Sequence, residues 1–162
     1  MTNIFLFTSI WIHVLSAIIW FGSVLAMEFL VIPSFSNNSG QPIGKVLSNM
    51  SKKYARLSEV ASGLIFITGI YQTYANGYLD VSKLLTTFYG NLILAKILLF
   101  VIFAGLGVMA GLKVAKLDAE ITSEKLEPIL KKARNLFYID IFVGLLIILI
   151  AIALRFDGNI TL

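Results

Sequence analysis

Residues 88–112 read FYGNLILAKILLFVIFAGLGVMAGL, an apolar run in which Lys96 is the single charged residue. A helix needs about 20 predominantly apolar residues to cross the hydrocarbon core of a bilayer. Because the hydrocarbon offers no water to the backbone, such a segment must satisfy its N–H and C=O groups internally, as a helix does. The run therefore predicts a transmembrane helix.

Three further apolar runs predict an all-α integral membrane four-helix bundle that forms one domain over residues 1–162. They cover about residues 4–32, 57–74 and 136–154. The chain is 58% hydrophobic and 14% charged, with a mean hydropathy of +0.89. Soluble domains are nearer 45–50% apolar and about 25% charged. The composition thus excludes a water-soluble globule, a disordered chain and a nucleic-acid-binding protein. The expected partner of the chain is the lipid bilayer.

The positive charges predict the orientation in the cell membrane. All but three of the 13 Lys and Arg residues lie in the two segments that join predicted helices one to two and three to four. Of the others, Lys83 and Arg155 lie on the opposite side and Lys96 lies within the third helix. Since cytoplasmic loops carry the excess of Lys and Arg, this multi-pass protein is expected to have both termini outside.

The two basic segments carry apolar residues at three- and four-residue steps, over about residues 43–57 and 126–137. This periodicity predicts helix. Two alternatives are open: the segments continue the second and fourth helices, or they form separate amphipathic turns at the interface. The first predicted helix is expected to end at Pro33.

The absence of cysteine excludes disulfides, thiolate metal sites and iron–sulfur clusters, and a single histidine excludes a multi-histidine cage. Ionisable groups inside membrane helices usually face the bundle interior and mark functional sites. His13 shares a helical seam with Trp20, and Lys96 shares one with Tyr89. Counted at 1.5 Å per residue, His13 lies roughly 13 Å and Lys96 roughly 11 Å below the outer surface, so both can approach one ligand.

A structural alternative exists for each residue. His13 can be hydrogen-bonded to Ser9, Ser16 or a backbone carbonyl. Lys96 can extend to the outer surface and leave the interior apolar. Nearer the cytoplasm, charged residues on three helices are expected to form an inner layer of paired charges or a proton path: Glu28, Arg56, Glu59 and Asp140.

Three segments resemble the copper resistance protein D family. Residues 13–22, HVLSAIIWFG, resemble its histidine-to-Trp-x-Gly opening, and residues 86–96, TTFYGNLILAK, resemble its threonine, Tyr-Gly and lysine signature. Arg56 through Thr68-Gly69 resembles its second helix. The resemblance covers about residues 8–113 and implies a four-helix membrane protein.

The related HemJ-type protoporphyrinogen oxidases have a similar four-helix core. In them a first-helix histidine and a third-helix lysine are implicated in binding haem b, and these roles map onto His13 and Lys96. The resemblance therefore implies a haem site. Leu94 stands where HemJ-type proteins carry a further histidine.

The leading hypothesis is a haem b-binding protein for electron transfer or porphyrin oxidation, with His13 and Lys96 as metal ligands and Trp20 and Tyr89 against the cofactor. Burial favours the neutral, ligating form of a lysine amine. Copper handling is the first alternative, although the potential thioether ligands are scattered along the inner half. A non-catalytic subunit of a larger membrane complex, or a homo-oligomer, is the second. No residue pattern identifies an enzyme.

Overall fold

The computed structural model describes residues 4–36, 43–117 and 123–157, and every regular element within these ranges is helical. The all-α fold class is thereby confirmed for the described ranges. The elements are α1 (Ile4–Ala26), a π-helical turn (Met27–Val31), α2 (Ile32–Ser36), α3 (Ile43–Ala75), α4 (Val81–Thr86), α5 (Phe88–Ala115) and α6 (Ser123–Asp157).

Three stretches of helix are long and apolar enough to cross a membrane: Ile4–Ser34, Phe88–Ala115 and Lys125–Leu154. Three of the four predicted membrane helices are therefore confirmed as membrane-compatible. Helix α3 does not reach the same apolar character, because Glu59 and Gln72 interrupt its apolar section and a basic segment precedes it.

The four long helices pack in the ring order α1, α3, α5, α6, each antiparallel to the next. Aromatic side chains fill the centre: the Trp20 ring of α1 lies 4.4 Å from the Phe103 ring of α5, centroid to centroid. One end of the ring, which we call the basic end, carries the two basic segments. The opposite end holds the start of α1, the end of α6 and the short helix α4.

Helices α3 and α6 begin well before the predicted membrane segments, at Ile43 and Ser123. The amphipathic segments thus continue the helices, which decides between the two alternatives. Their apolar stripes are buried, as Leu47 and Ala133 are fully enclosed. The Ser51 hydroxyl donates to the Gly111 carbonyl of α5 at 2.8 Å. Packing of these stripes lengthens the bundle at the basic end.

The expected helix end at Pro33 is wrong. The chain remains helical to Ser36, because a π-helical turn precedes the proline and the Ile32 N–H bonds to the Met27 carbonyl. Pro33 then occupies the first turn of α2, where its missing N–H costs little.

The π-helical turn buries Glu28, which is 1% exposed. Its Oε1 accepts a hydrogen bond of 3.0 Å from Arg134 Nε of α6. The expected inner charged layer is therefore only partly correct. Arg56 and Glu59 lie on the exposed face of α3, and Glu28–Arg134 is the ion pair formed within the described ranges.

Helix α4 lies directly on the first turn of α5, at Gly90. A Cβ atom at Gly90 would come within 2.6 Å of the Leu84 Cα and carbonyl oxygen. Both helices are capped there: Asp80 Oδ1 accepts from the Ser82 N–H at 2.9 Å, and Thr87 Oγ1 accepts from the Gly90 N–H at 3.0 Å. The missing side chain at Gly90 is what lets α4 close this end of the bundle.

We expect Arg134→Gln to lower the stability of the detergent-solubilised protein by about 1–3 kcal/mol, because it leaves a buried carboxylate without its donor. Exposed Lys131 on the same helix is the control, and Lys131→Gln should change little. The double variant Glu28→Gln/Arg134→Gln should recover much of the loss. Thermal unfolding measures all four proteins, and equal melting of the two single arginine and lysine variants would contradict the expectation.

Gly90→Ala should destabilise the fold by about 1–3 kcal/mol, since α4 must move to admit the methyl group. Gly105 lies on the same helix with nothing within 4 Å of its added Cβ, so Gly105→Ala is the matched control. Its better helix propensity should leave thermal stability unchanged or slightly raised. Equal effects from the two substitutions would show that the α4–α5 contact is unimportant.

Candidate functional site

A cavity of about 250 Å³ lies between the long helices at the end opposite the basic end. We call it the His13 cavity. Helices α1, α3, α4, α5 and α6 all contribute to its wall, which is mostly apolar. Its polar residues are His13, Gln72, Thr73, Asn76, Tyr89 and Lys96. The structure thus brings three of the four sequence-predicted site residues, His13, Lys96 and Tyr89, to one cavity.

His13 is oriented by Thr68 of α3. Its Nδ1 lies 2.8 Å from Thr68 Oγ1, and that hydroxyl in turn lies 2.5 Å from the Leu64 carbonyl oxygen. A hydroxyl has one proton to donate, so two arrangements satisfy these distances. If Thr68 donates to the backbone carbonyl, His13 Nδ1 carries the proton and Nε2 has the lone pair of a metal-ligating histidine; if Thr68 donates to Nδ1, the proton lies on Nε2. The first arrangement leaves one imidazole nitrogen ready for a metal ion.

The imidazole of His13 bonds to α3 rather than to Ser9 or Ser16 on its own helix. Thr68 supplies the hydroxyl, and a backbone hydrogen bond at Ile65 matches the backbone-carbonyl alternative expected from the sequence. Ser9 instead links the same two helices, since its hydroxyl donates to the Thr68 carbonyl at 3.4 Å and its carbonyl accepts from Gln72 at 3.3 Å. The imidazole is thus held between two helices that are themselves hydrogen-bonded beside it.

Gly69 makes room for the imidazole ring. A Cβ at this position would lie 3.5 Å from His13 Cε1, in van der Waals contact. Any longer side chain would enter the space occupied by the ring. Thr68 therefore hydrogen-bonds to the imidazole, and Gly69 leaves room for the ring.

Lys96 lies on the cavity wall contributed by α5, and its side chain is half-buried. No ion pair joins it to a carboxylate within the described ranges. Tyr89, about two turns of α5 nearer to α4, packs on Tyr78 with ring centroids 4.5 Å apart. Nitrogen and oxygen donors from α1, α3 and α5 therefore face one cavity.

Trp20 is not brought to the cavity. It is 6% exposed and packs in the core, 5.0 Å from the Phe100 ring. Phe100 lines the cavity, so Trp20 supports the wall from behind. The sequence did not single out Gln72, Thr73 and Asn76 as cavity residues, because at the end of α3 and just beyond it they form an ordinary polar helix end. Thr68 contacts His13 but is not part of the cavity wall.

The size of the cavity allows a test of the two expected ligands. Pockets for drug-sized molecules enclose about 300–1,000 Å³, and a porphyrin is a large ligand. The 250 Å³ of this cavity lies below that range, and the cavity is partly open, so as it stands it does not hold a whole haem although His13 offers an axial ligand. A single metal ion fits the volume. No cluster of three His, Asp or Glu residues occurs in the described part of the chain, so its ligands would be mixed.

Comparison with known proteins gives one match. No curated protein and no solved structure matches the chain. The family model described as copper resistance protein D matches residues 48–154, about two thirds of the 162 residues. The match covers the cavity residues of α3, α4 and α5 and ends at Leu154 of α6, whereas His13 lies before it. This multi-pass, helical membrane protein belongs to the copper resistance protein D family.

Proposed function

We propose that the protein handles copper and holds the ion in the His13 cavity during that task. The observation that carries the proposal is the hydrogen-bond chain from His13 through Thr68 to the Leu64 carbonyl. With the proton on Nδ1, it leaves Nε2 as a ligand before any ion arrives. Membership of the copper resistance protein D family supports copper as the ion.

In this proposal copper is the cargo, and the protein supplies its ligands. Imidazole suits copper, and mixed nitrogen and oxygen donors suit Cu(II) in particular. His13 Nε2 would be the first ligand and the neutral Lys96 amine the second, with oxygen from Tyr89 or Gln72 near. Because an amine must lose its proton to coordinate, binding should release protons and weaken as the pH falls.

Haem b was the leading expectation from the sequence, and it rested on the resemblance together with His13 and Lys96. The cavity is smaller than the macrocycle needs, so copper is the ligand proposed. An absorption spectrum of the purified protein separates the two ligands, since only haem gives a Soret band.

Thr68→Val should weaken Cu(II) binding by about 10–100-fold, because it removes the group that orients His13. Thr73 is the matched control: it lines the cavity, and its hydroxyl donates to the Gly69 carbonyl at 2.9 Å. Thr73→Val should change the affinity little, and His13→Ala should abolish binding. Competition with a chelator gives the affinities, and electron paramagnetic resonance reports the imidazole nitrogen.

Equal affinities of the Thr68 and Thr73 variants would refute the role of the hydrogen-bond chain. A Soret band in wild type grown with ample haem would favour haem b. Absence of both ligands would leave the accessory-subunit hypothesis. Lys96→Met tests the second ligand: loss of the amine should weaken binding and flatten its pH dependence, whereas an unchanged affinity would make Lys96 part of the wall only.

We further propose that α3 is a fourth membrane crossing in one domain and that both termini lie outside the cell. The outward face of α3 supports the crossing, since Val60 is 59% and Ile67 66% exposed. Such a stripe is unfavourable in water and favourable in lipid. The charge on the basic end supports its cytoplasmic location. Assembly into a homo-oligomer or larger complex stays a prediction.

Cysteine labelling tests the topology at two exposed positions. Ser82→Cys, on α4, should react with an impermeant maleimide in intact cells. Lys53→Cys, at the basic end of α3, should react only after the membrane is opened. Labelling of both in intact cells would mean that α3 does not cross, and the reverse pattern would invert the orientation.

A further inference from the structure

A second set of buried polar groups lies toward the basic end, away from the His13 cavity. Asp140 of α6 is 0% exposed and Tyr54 of α3 is 6% exposed. Within the described ranges neither Asp140 oxygen has a hydrogen-bond partner, and the Tyr54 and Ser58 hydroxyls have no partner except each other. Buried polar groups are almost always hydrogen-bonded, so this set calls for a ligand.

Gly107 of α5 makes the space between these groups. A Cβ atom there would lie 3.2 Å from Tyr54 Oη and 3.3 Å from Asp140 Oδ2, closer to both than side chains ordinarily pack. The two oxygens therefore face one notch that only a glycine leaves open. Helices α3, α5 and α6 meet at this notch.

No positive charge from α5 or α1 compensates Asp140. The residues of α5 between Lys96 and Lys113 are all uncharged, and so are those of α1 between His13 and Glu28. Gly107 lies in the middle of the uncharged section of α5. An ionised carboxylate enclosed in such surroundings is strongly unfavourable.

The remaining neighbours of Asp140 do not compensate it either. Arg134 of α6 bonds to Glu28 on the π-helical turn and, at 3.1 Å, to the Tyr138 hydroxyl. Helix α2 has no charged residue. On α3, the charged residues around Tyr54 are all exposed: Lys52, Lys53, Arg56 and Glu59.

We propose that Asp140 is a proton-binding site inside the bundle, completed by Tyr54 and the notch at Gly107. The carboxylate takes one proton from water at the basic end and forms an O–H bond. The reverse step breaks that bond and returns the proton, with no change of oxidation state. The Tyr54 hydroxyl, which faces the same notch, can accept from or donate to the carboxyl group, and Ser58, one helical turn along α3, hydrogen-bonds to Tyr54.

A proton fits the site better than a metal cation does. The notch has the size of a single methyl group, and the oxygens that face it belong to one carboxylate and one hydroxyl. A metal cation would have to exchange its shell of water oxygens for these few ligands. Intramembrane carboxyl groups of this kind mark proton relays in pumps and transporters. The site is independent of copper and would survive failure of the copper proposal.

Infrared spectroscopy of the purified full-length protein in lipid vesicles tests the proposal. In sodium-free buffer at neutral pH, wild type should show the C=O stretching band of a protonated carboxylic acid, shifted in D₂O. Asp140→Asn should remove the band, and Glu59→Gln, the exposed control on α3, should keep it. If Asp140→Asn does not fold, ¹³C labelling of aspartate should move the band in wild type.

Two glycines of α5 provide a matched pair for the notch. Gly107→Ala places a methyl group against both oxygens and should shift the band, whereas Gly105→Ala points into open space and should not. Tyr54→Phe should also shift it, because it removes the hydroxyl that faces the carboxyl group across the notch.

Three results would overturn the assignment. The first is the absence of a protonated-acid band in wild type, and the second is its persistence in Asp140→Asn. The third is loss of the band on adding sodium at constant pH, which would identify an alkali-cation site instead. Equal shifts from Gly107→Ala and Gly105→Ala would show that the notch at Gly107 is not part of the proton-binding site.

Discussion

The hydrocarbon around the helices supplies no hydrogen bonds, and this constraint organises both the backbone and the polar side chains. The backbone answers with helices throughout the described ranges. Polar side chains then have a choice between the bundle interior and its ends, and most of those in the apolar helices bond within the protein. Ser9, His13, Thr68 and Gln72 form one such network between α1 and α3. Glu28 and Arg134 form another across α1 and α6.

The two networks differ in what they leave unused. In the first, Thr68 engages Nδ1 of His13, so Nε2 is the nitrogen that the copper proposal uses. In the second, Arg134 satisfies one oxygen of Glu28 and the other stays without a partner among the described residues. Asp140 differs from both, since neither of its oxygens has a hydrogen-bond partner in the described part of the chain. Because most polar groups of the bundle are hydrogen-bonded, the atoms left for binding a ligand are few: His13 Nε2, Glu28 Oε2 and the two Asp140 oxygens.

Local periodicity explains how much was predictable. The seam of α1 that carries His13 and Trp20 follows four- and three-residue steps. Along it Ser9, Ser16, Trp20 and Met27 are buried, and His13 and Ser23 are half-buried. The amphipathic pattern near Leu47 indicated helix, and α3 is helical there. Such features depend on neighbours within two turns. The pairs His13–Thr68 and Glu28–Arg134 join residues 55 and 106 positions apart, and depend on helix rotation and height, which one sequence does not reveal. For the same reason Trp20 was expected at the cofactor and lies behind the wall.

The π-helical turn at Met27–Val31 has a consequence for helical phase. In an α-helix each residue turns by about 100°, so side chains five positions apart point about 140° away from each other. Met27 and Ile32 are five positions apart, yet both are buried, at 4% and 1% exposed. The wider i→i+5 turn absorbs the extra residue. It keeps the inward stripe of α1 continuous into α2, so that a one-residue difference in length leaves the bundle-facing side of the chain in register.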